Sequence, residues 1–269
     1  MKVVRWMAVL SATPVVLAIL QPASHAESAE SPKARTVVSL TFDDGDKTHV
    51  AAARILEKRG MLGTFYVNSD TIGRERKLDR RQLAAIAKAG HEIGGHTLTH
   101  ARLTELPESE QRVQICDDRR ALAAWGYRPA TLAYPFGSVD DDAKSVARQC
   151  GYDAARRVGG LKDGACRGCP AAEDPRPKDR YEIRTPGSVH GDTLLRQLKQ
   201  QVLNTEKSGG GFLPLVFHRV CGNCGLYSVA PRTLEDFLDW LATRESRGTV
   251  VKTFQDAVGA RYRPLPPQE

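Results

Sequence analysis

TVVSLTFDDG, residues Thr36 to Gly45, begins as an unbroken β-branched and apolar run and ends in two adjacent aspartates and a glycine. The run Thr36–Phe42 reads as a strand buried on both faces, the kind a parallel sheet requires. Neighbouring side chains on a strand point to opposite faces, and like charges side by side repel. Asp43 and Asp44 at its end therefore need a reason to be there. Gly45 permits a sharp turn that can gather both acids around one point. The plainer alternative is a turn and helix N-cap, with one aspartate satisfying free backbone N–H groups.

Downstream, strand patterns and helix patterns alternate about seven times. LGTFYV, HEIGGH, ATLAYPFG, YDAARRV, YEIRT, FLPLVFH and TVVKT read as strands. The segments between them carry helical spacing, and several helices end at a glycine such as Gly60, Gly90 or Gly126. The region from Gly159 to Arg180 is irregular, rich in Gly, Pro and charge. Strands alternating with helices predict an α/β fold with a parallel sheet, closed as a barrel or open and doubly wound. In either, functional residues collect beyond the C-terminal ends of the strands.

Upstream, residues 1–26 have a basic head (Lys2, Arg5), an apolar run and the small residues Ser24 and Ala26 before a cut. This is the layout of a secretory signal peptide. The run is short for a membrane span of about 20 residues and is broken by Pro14. Residues 27–35 read as a flexible leader, 36–260 as one catalytic-sized domain, and 261–269 as a loose tail. An exported protein, free of the membrane, at the cell wall or in the medium, is expected, and a monomer. The net charge of +7 favours anionic surfaces, but no basic block interleaved with aromatics points to nucleic acid.

The six cysteines, Cys116, Cys150, Cys166, Cys169, Cys221 and Cys224, favour disulfides in an exported chain. The pairs CRGC and CGNC admit a structural zinc site or a redox motif as alternatives. Cys116 and Cys150 fall on the helices flanking the fourth strand and are expected to pair.

The strand-end rule sorts the polar residues. TFDDG ends the first strand, HTLTH (His96 to His100) follows the third, AYPFG ends the fourth, and His218 ends FLPLVFH. Histidines four apart share one face of a helical turn and can share a metal. With one carboxylate they make three protein ligands, leaving room for water and substrate. One aspartate would then bind the ion while its neighbour takes a proton from water.

These four motifs, in this order, resemble the polysaccharide deacetylases of the NodB-homology type, carbohydrate esterase family 4. The resemblance implies a distorted (β/α)7 barrel and hydrolysis of N-acetyl or O-acetyl groups on a glycan, N-acetyl being favoured here. It assigns Asp43 as base, Asp44, His96 and His100 as metal ligands, and His218 as the acid that protonates the leaving group. The backbone N–H of Phe136 would hold the oxyanion. Tyr134 and Pro135 are the expected substrate contacts, although Tyr134 could equally be core. Two histidines and a carboxylate favour zinc, with cobalt or another transition metal as alternatives.

The chain departs from the pattern twice. Many members carry an arginine, paired with the base, where Ala133 stands; Arg184 is the expected replacement. The tryptophan-containing fourth motif, whose aspartate orients the acid histidine, is not visible; Asp153 or Asp179 would have to serve. The substrate therefore stays open among peptidoglycan, chitin oligomers, exopolysaccharide and acetylated xylan. A glycan-binding protein with a damaged site and an exported thiol–disulfide protein are the rival readings.

Overall fold

The computed structural model describes residues 1–3 and 35–265. The expected signal peptide and leader fall almost wholly outside the described residues, as do the last four residues, 266–269. The chain divides at Glu30, and the second unit, Ser31–Glu269, holds the fold described below.

The first strand, β1 (Thr36–Phe42), is followed by α1 (His49–Glu57), β2 (Thr64–Val67), α2 (Arg80–Lys88) and β3 (Glu92–Gly95). Next come α3 (Glu108–Arg112), a π-helical turn (Val113–Asp117) and α4 (Asp118–Ala124). They lead to β4 (Thr131–Ala133), α5 (Asp141–Gln149), β5 (Ala154–Gly160) and β6 (Ile183–Thr185). The last stretch is α6 (Leu195–Lys207), β7 (Gly211–Phe217), β8 (Arg219–Val220), β9 (Ser228–Val229), α7 (Pro231–Ala242), β10 (Thr249–Val251) and α8 (Phe254–Val258). The strands appear where apolar runs predict them, trimmed at their ends. The sequence pattern missed β8 and β9, which pair with each other in the loop after β7.

β1 is the hub. β7 pairs with it along its whole length, from Thr36 opposite Gly211 to Phe42 opposite Phe217. A strand has two edges, so β10 and β2 share the other, at Thr36–Val38 and at Thr41–Phe42. From β2 the sheet continues through β3, β4 and β5 to β6, all parallel. Between β6 and β7 the ring is completed only by isolated contacts, such as the Val189 N–H to the Val216 carbonyl at 2.8 Å. Strands β1–β7 thus form a seven-stranded parallel barrel, distorted by the wedge of β10 and the gap beside β7. The expected fold is the observed one.

Val38, Leu40 and Phe42 are fully buried, as a two-sided strand requires, and Phe42 stacks between Phe65 and Phe217. Burying such side chains stabilises by about 1.5–3 kcal/mol each. The long helix read from sequence between β3 and β4 is interrupted by the π turn, which carries Cys116; its disulfide to Cys150 ties it to the end of α5. Cys166 is bridged to Cys169, and Cys221 to Cys224. The segment expected to be loose from Arg261 starts pinned: its N–H donates to Asp153 at 2.9 Å, and buried Arg119 donates to the Arg263 carbonyl at 2.6 Å.

Candidate active site

The register of the barrel assembles the site. Because Phe42 lies opposite Phe217, Asp43 and His218 leave adjacent strands at the same height. The Asp43 N–H donates to the Phe217 carbonyl at 2.9 Å. Asp43 is buried and ion-pairs with the fully buried Arg156, which also donates to Thr41 Oγ1 at 3.2 Å. Burial alone would raise the Asp43 carboxyl, but Arg156, with His96 and His218, holds it below the ordinary carboxylate range.

Asp44 turns the other way. Its φ of 76° and that of Gly45, 60°, lie in the left-handed region, reversing the chain at once. Lys77 Nζ donates to the Asp44 carbonyl at 2.7 Å. Asp44 Oδ1 then sits 3.1 Å from His100 Nε2 and 3.4 Å from His96 Nε2, and the three ligand atoms lie within 4.8 Å of one another.

The two histidines do not ride on a helical turn, contrary to the spacing argument. His96–His100 is a loop, with Thr97 at φ 64° and His100 at φ 66°. These strained conformations are held from outside. The Leu98 N–H donates to the Gln114 carbonyl at 2.8 Å, and the Thr99 N–H to Gln114 Oε1 at 3.0 Å, so the π turn, where helical pairing is broken, receives the loop. Asn68 donates to the Thr97 and His96 carbonyls. Buried Asp118, its carboxyl pushed up to about 6 by burial, accepts from the N–H groups of His96 (3.1 Å) and Ser69 (2.9 Å). Ahead of His96, side chains at Gly94 and Gly95 would collide with the Tyr66 ring and the Tyr152 hydroxyl.

His96 Nδ1 lies 2.7 Å from the Ala133 carbonyl. A carbonyl only accepts, so Nδ1 carries a proton and Nε2 is the nitrogen that faces Asp44 Oδ1, a buried carboxylate oxygen. A neutral imidazole would set a lone pair against that carboxylate, which is repulsive unless a positive charge, a proton or a metal ion, sits between them. The electrostatics show how strongly the cluster attracts positive charge. Burial opposes a charge on His96, but Asp43 and Asp44 outweigh it and raise its proton affinity. Burial would raise Asp44, but His100 and His96 hold it far below the ordinary range. The donor set suits a divalent transition-metal ion.

The acid candidate, His218, is held through its backbone: His49 Nε2 donates to its carbonyl at 2.7 Å. His49, at the start of α1, is fully buried. The His218 ring lies 5.1 Å from the Tyr227 ring, which in turn meets His190 at 4.9 Å. Burial lowers the His218 pKa, partly offset by Asp43 and Asp44. Phe136 adopts φ 59° in the turn after β4, and its exposed ring packs edge-on against His100 at 4.5 Å.

Known proteins place this arrangement. The sequence model of the polysaccharide deacetylases matches residues 30–155. The peptidoglycan-N-acetylglucosamine deacetylase PgdA of Listeria monocytogenes is 32% identical over 133 residues, 48% of this chain and 27% of that protein. Over that stretch the chain resembles the polysaccharide deacetylases. The peptidoglycan-N-acetylglucosamine deacetylase of Bacillus cereus is 27% identical over 125 residues, 46% of this chain and 57% of its own. The match thus spans less than two thirds of either relative's length. In three dimensions, the Xyl-CE4 domain of a multidomain xylanase from the hindgut metagenome of Trinervitermes trinervoides shares the fold, with a TM-score of 0.57 over 86% of this chain and 95% of that one at 16% identity.

The structure corrects the expectations for this site in three places. The arginine beside Asp43 is Arg156, not Arg184, which pairs with Glu173 at 2.7 Å. Ala133 lies directly opposite Arg156 on the neighbouring strand, so the guanidinium has moved one strand along and the small residue leaves room for it. Sequence reading passed over Arg156 because strand pairing, not spacing, brings it to Asp43. Neither Asp153 nor Asp179 serves His218. Asp153 binds Arg180 and Arg263, and Asp179 lies 3.3 Å from Lys144. Tyr134 is fully buried and Pro135 is buried beside it, so neither side chain is offered to a ligand; the AYPFG turn brings the Phe136 ring to the surface instead.

Proposed function

We propose that this protein is a secreted, divalent-metal-dependent deacetylase that hydrolyses N-acetyl groups on a cell-wall glycan. The carrying observation is the convergence of Asp44 Oδ1, His96 Nε2 and His100 Nε2 within 4.8 Å of one another, with ionised Asp43 next in sequence. Asp44, His96 and His100 would hold the ion, and zinc suits two imidazoles and one carboxylate. A divalent cation there polarises an acetyl carbonyl and acidifies water.

The chain's own groups do the rest. Asp43 accepts the proton of the attacking water as its oxygen bonds to the acetyl carbon. Arg156 keeps Asp43 ionised and fixes its direction, at the expense of some basicity. The backbone N–H at Phe136 is the candidate donor to the oxyanion. As the C–N bond breaks, His218 gives a proton to the departing nitrogen, leaving acetate and an amine. Base and acid must hold opposite protonation states at the same pH, Asp43 ionised and His218 protonated. The N-terminal signal layout, three disulfides and cell-wall relatives support export.

The test is acetate release from N-acetylated glycans by the purified protein, with metal content measured beside it. We expect release that a chelator abolishes and zinc restores. A folded, metal-loaded protein that binds glycan and releases no acetate would instead establish the glycan-binding reading.

A further inference from the structure

Helix α6 carries Gln197, Gln200, Gln201 and Asn204 at the spacing of one helical stripe, while Leu198 and Val202 on the other face are buried. The stripe is not simply a solvated face. It walls a cavity of about 450 Å³ whose other side is formed by the loops holding Lys162 and His190. That is the size range of small-ligand sites.

The chemistry of the wall is neutral and two-sided. Gln197 accepts from the Leu194 N–H at 2.6 Å, leaving its amide N–H₂ group. Gln200 and Asn204 bond to each other at 2.8 Å, and the pair keeps one carbonyl and one N–H₂ group free whichever way it is oriented. Gln201 Oε1 is buried and has no partner among the described residues. The charges at the rim oppose each other: Lys162 is followed by Asp163, whose carboxylate is engaged by the N–H groups of Cys166 and Gly187 at 2.7 Å each. Amide groups that both donate and accept suit hydroxyl and acetamido groups, not phosphate or a metal.

The cavity is also joined to the acid. His190, on its rim, meets Tyr227, and Tyr227 meets His218. The Tyr227 ring is 43% exposed, a free aromatic face beside the reacting centre. The two loops are tied by the Gly191 N–H to the Leu226 carbonyl at 2.8 Å. The Tyr227 loop carries the Cys221–Cys224 bridge, and the Lys162 loop on the cavity's rim carries Cys166–Cys169. A braced site loses less on ordering a ligand.

We propose that this cavity, with Tyr227, is a subsite for an uncharged sugar residue flanking the one that is deacetylated. The assignment rests on the glycan-deacetylase reading, so binding and turnover are measured separately. β-1,4-linked N-acetylglucosamine oligomers of increasing length, from the monosaccharide to the pentamer, are titrated against zinc-loaded Asp43→Asn protein. Acetate release from the same oligomers is measured with the otherwise unaltered enzyme. The pentamer should bind at least about ten-fold tighter than the monosaccharide. Gln201→Ala with Asn204→Ala, and separately Tyr227→Ala, should each reduce that ratio by about five- to ten-fold, the worth of one or two neutral hydrogen bonds or a stacked ring. Unchanged melting temperatures establish that the variants are folded. A ratio that survives both sets of substitutions, or the absence of any length dependence or binding, overturns the subsite. Length-dependent binding without acetate release overturns the activity and leaves the subsite standing. Acetate release that is indifferent to length does the reverse.

Discussion

The two halves of the barrel are built differently. From β1 to β4 the strands are linked by compact helices, and the candidate metal site is braced by hydrogen bonds to its backbone at Asp44, His96 and Leu98. From β5 to β9 the chain wanders through residues 161–182 without a helix, and short disulfide loops do the bracing. The match to the family's sequence model ends at residue 155, one residue before Arg156. The first half sets out the proposed ion and base; the second supplies Arg156, His218 and the walls around them. Fixed chemistry tolerates little displacement, whereas a surface that selects a glycan can vary as long as the barrel holds.

The largest effect should come from the first half. Asp44→Asn or His100→Ala removes a ligand, and acetate release should fall on the order of 10³-fold or more, with zinc lost in a metal assay. Retention of both zinc and activity would remove the first half's claim to the chemistry.

Arg156 tests the seam between the halves. Arg156→Ala leaves the Asp43 carboxylate buried without its partner, which should cost about 3–5 kcal/mol in stability. The Asp43 pKa must then rise. Activity that needs the carboxylate ionised will fail at a higher pH on the acid side, so the acid limb of the rate profile shifts upward. Placing the guanidinium back across the ladder, Ala133→Arg with Arg156→Ala, should recover part of both losses. If it recovers neither, the exchange of positions between the two strands is not equivalent.

The disulfides sharpen the contrast. Cys116–Cys150 closes a sequence separation of 34 residues, and its removal by paired alanines should destabilise by about 3–4 kcal/mol. Cys221–Cys224 spans only 3, so the same change should lower the melting temperature less, by about 1–2 kcal/mol in equivalent stability. Equal losses would mean that the second half is not the more permissive one.

An effect confined to a window of pH concerns His49. Its Nε2 proton is held by the His218 carbonyl, and its Nδ1 is buried without a partner. Burial brings its pKa down to about 4 from 6.5. Between these values the unfolded chain binds a proton that the folded one refuses, so this contribution is complete above 6.5 and lost as pH falls toward 4. The loss is at most about 3 kcal/mol. Denaturant unfolding of His49→Gln should show a flatter dependence over that window.

The parts legible in the sequence are those governed by local periodicity. The apolar run Thr36–Phe42, the alternation behind it and the motifs at strand ends led to a parallel α/β sheet and to Asp43, Asp44, His96, His100 and His218, while the family resemblance chose the barrel. The parts that were not legible depend on which strand lies beside which. Arg156 is unremarkable in AARRVGG until the ladder sets it opposite Ala133. Asp118 is one acid among several in its helix until its carboxylate meets the His96 N–H. Tyr134 and Phe136, two residues apart in one turn, go to the core and to the surface because the backbone enters the left-handed region at Phe136.

By itself, then, the sequence determined that strands and helices would alternate and which side chains would stand at the strand tips, because hydrophobic spacing and chain direction settle both. Only the tertiary structure decided which guanidinium neutralises the base, which nitrogen of His96 faces Asp44, and how the His190 and Tyr227 loops meet beside His218. Those outcomes depend on distances between residues far apart in the chain, set by register and packing.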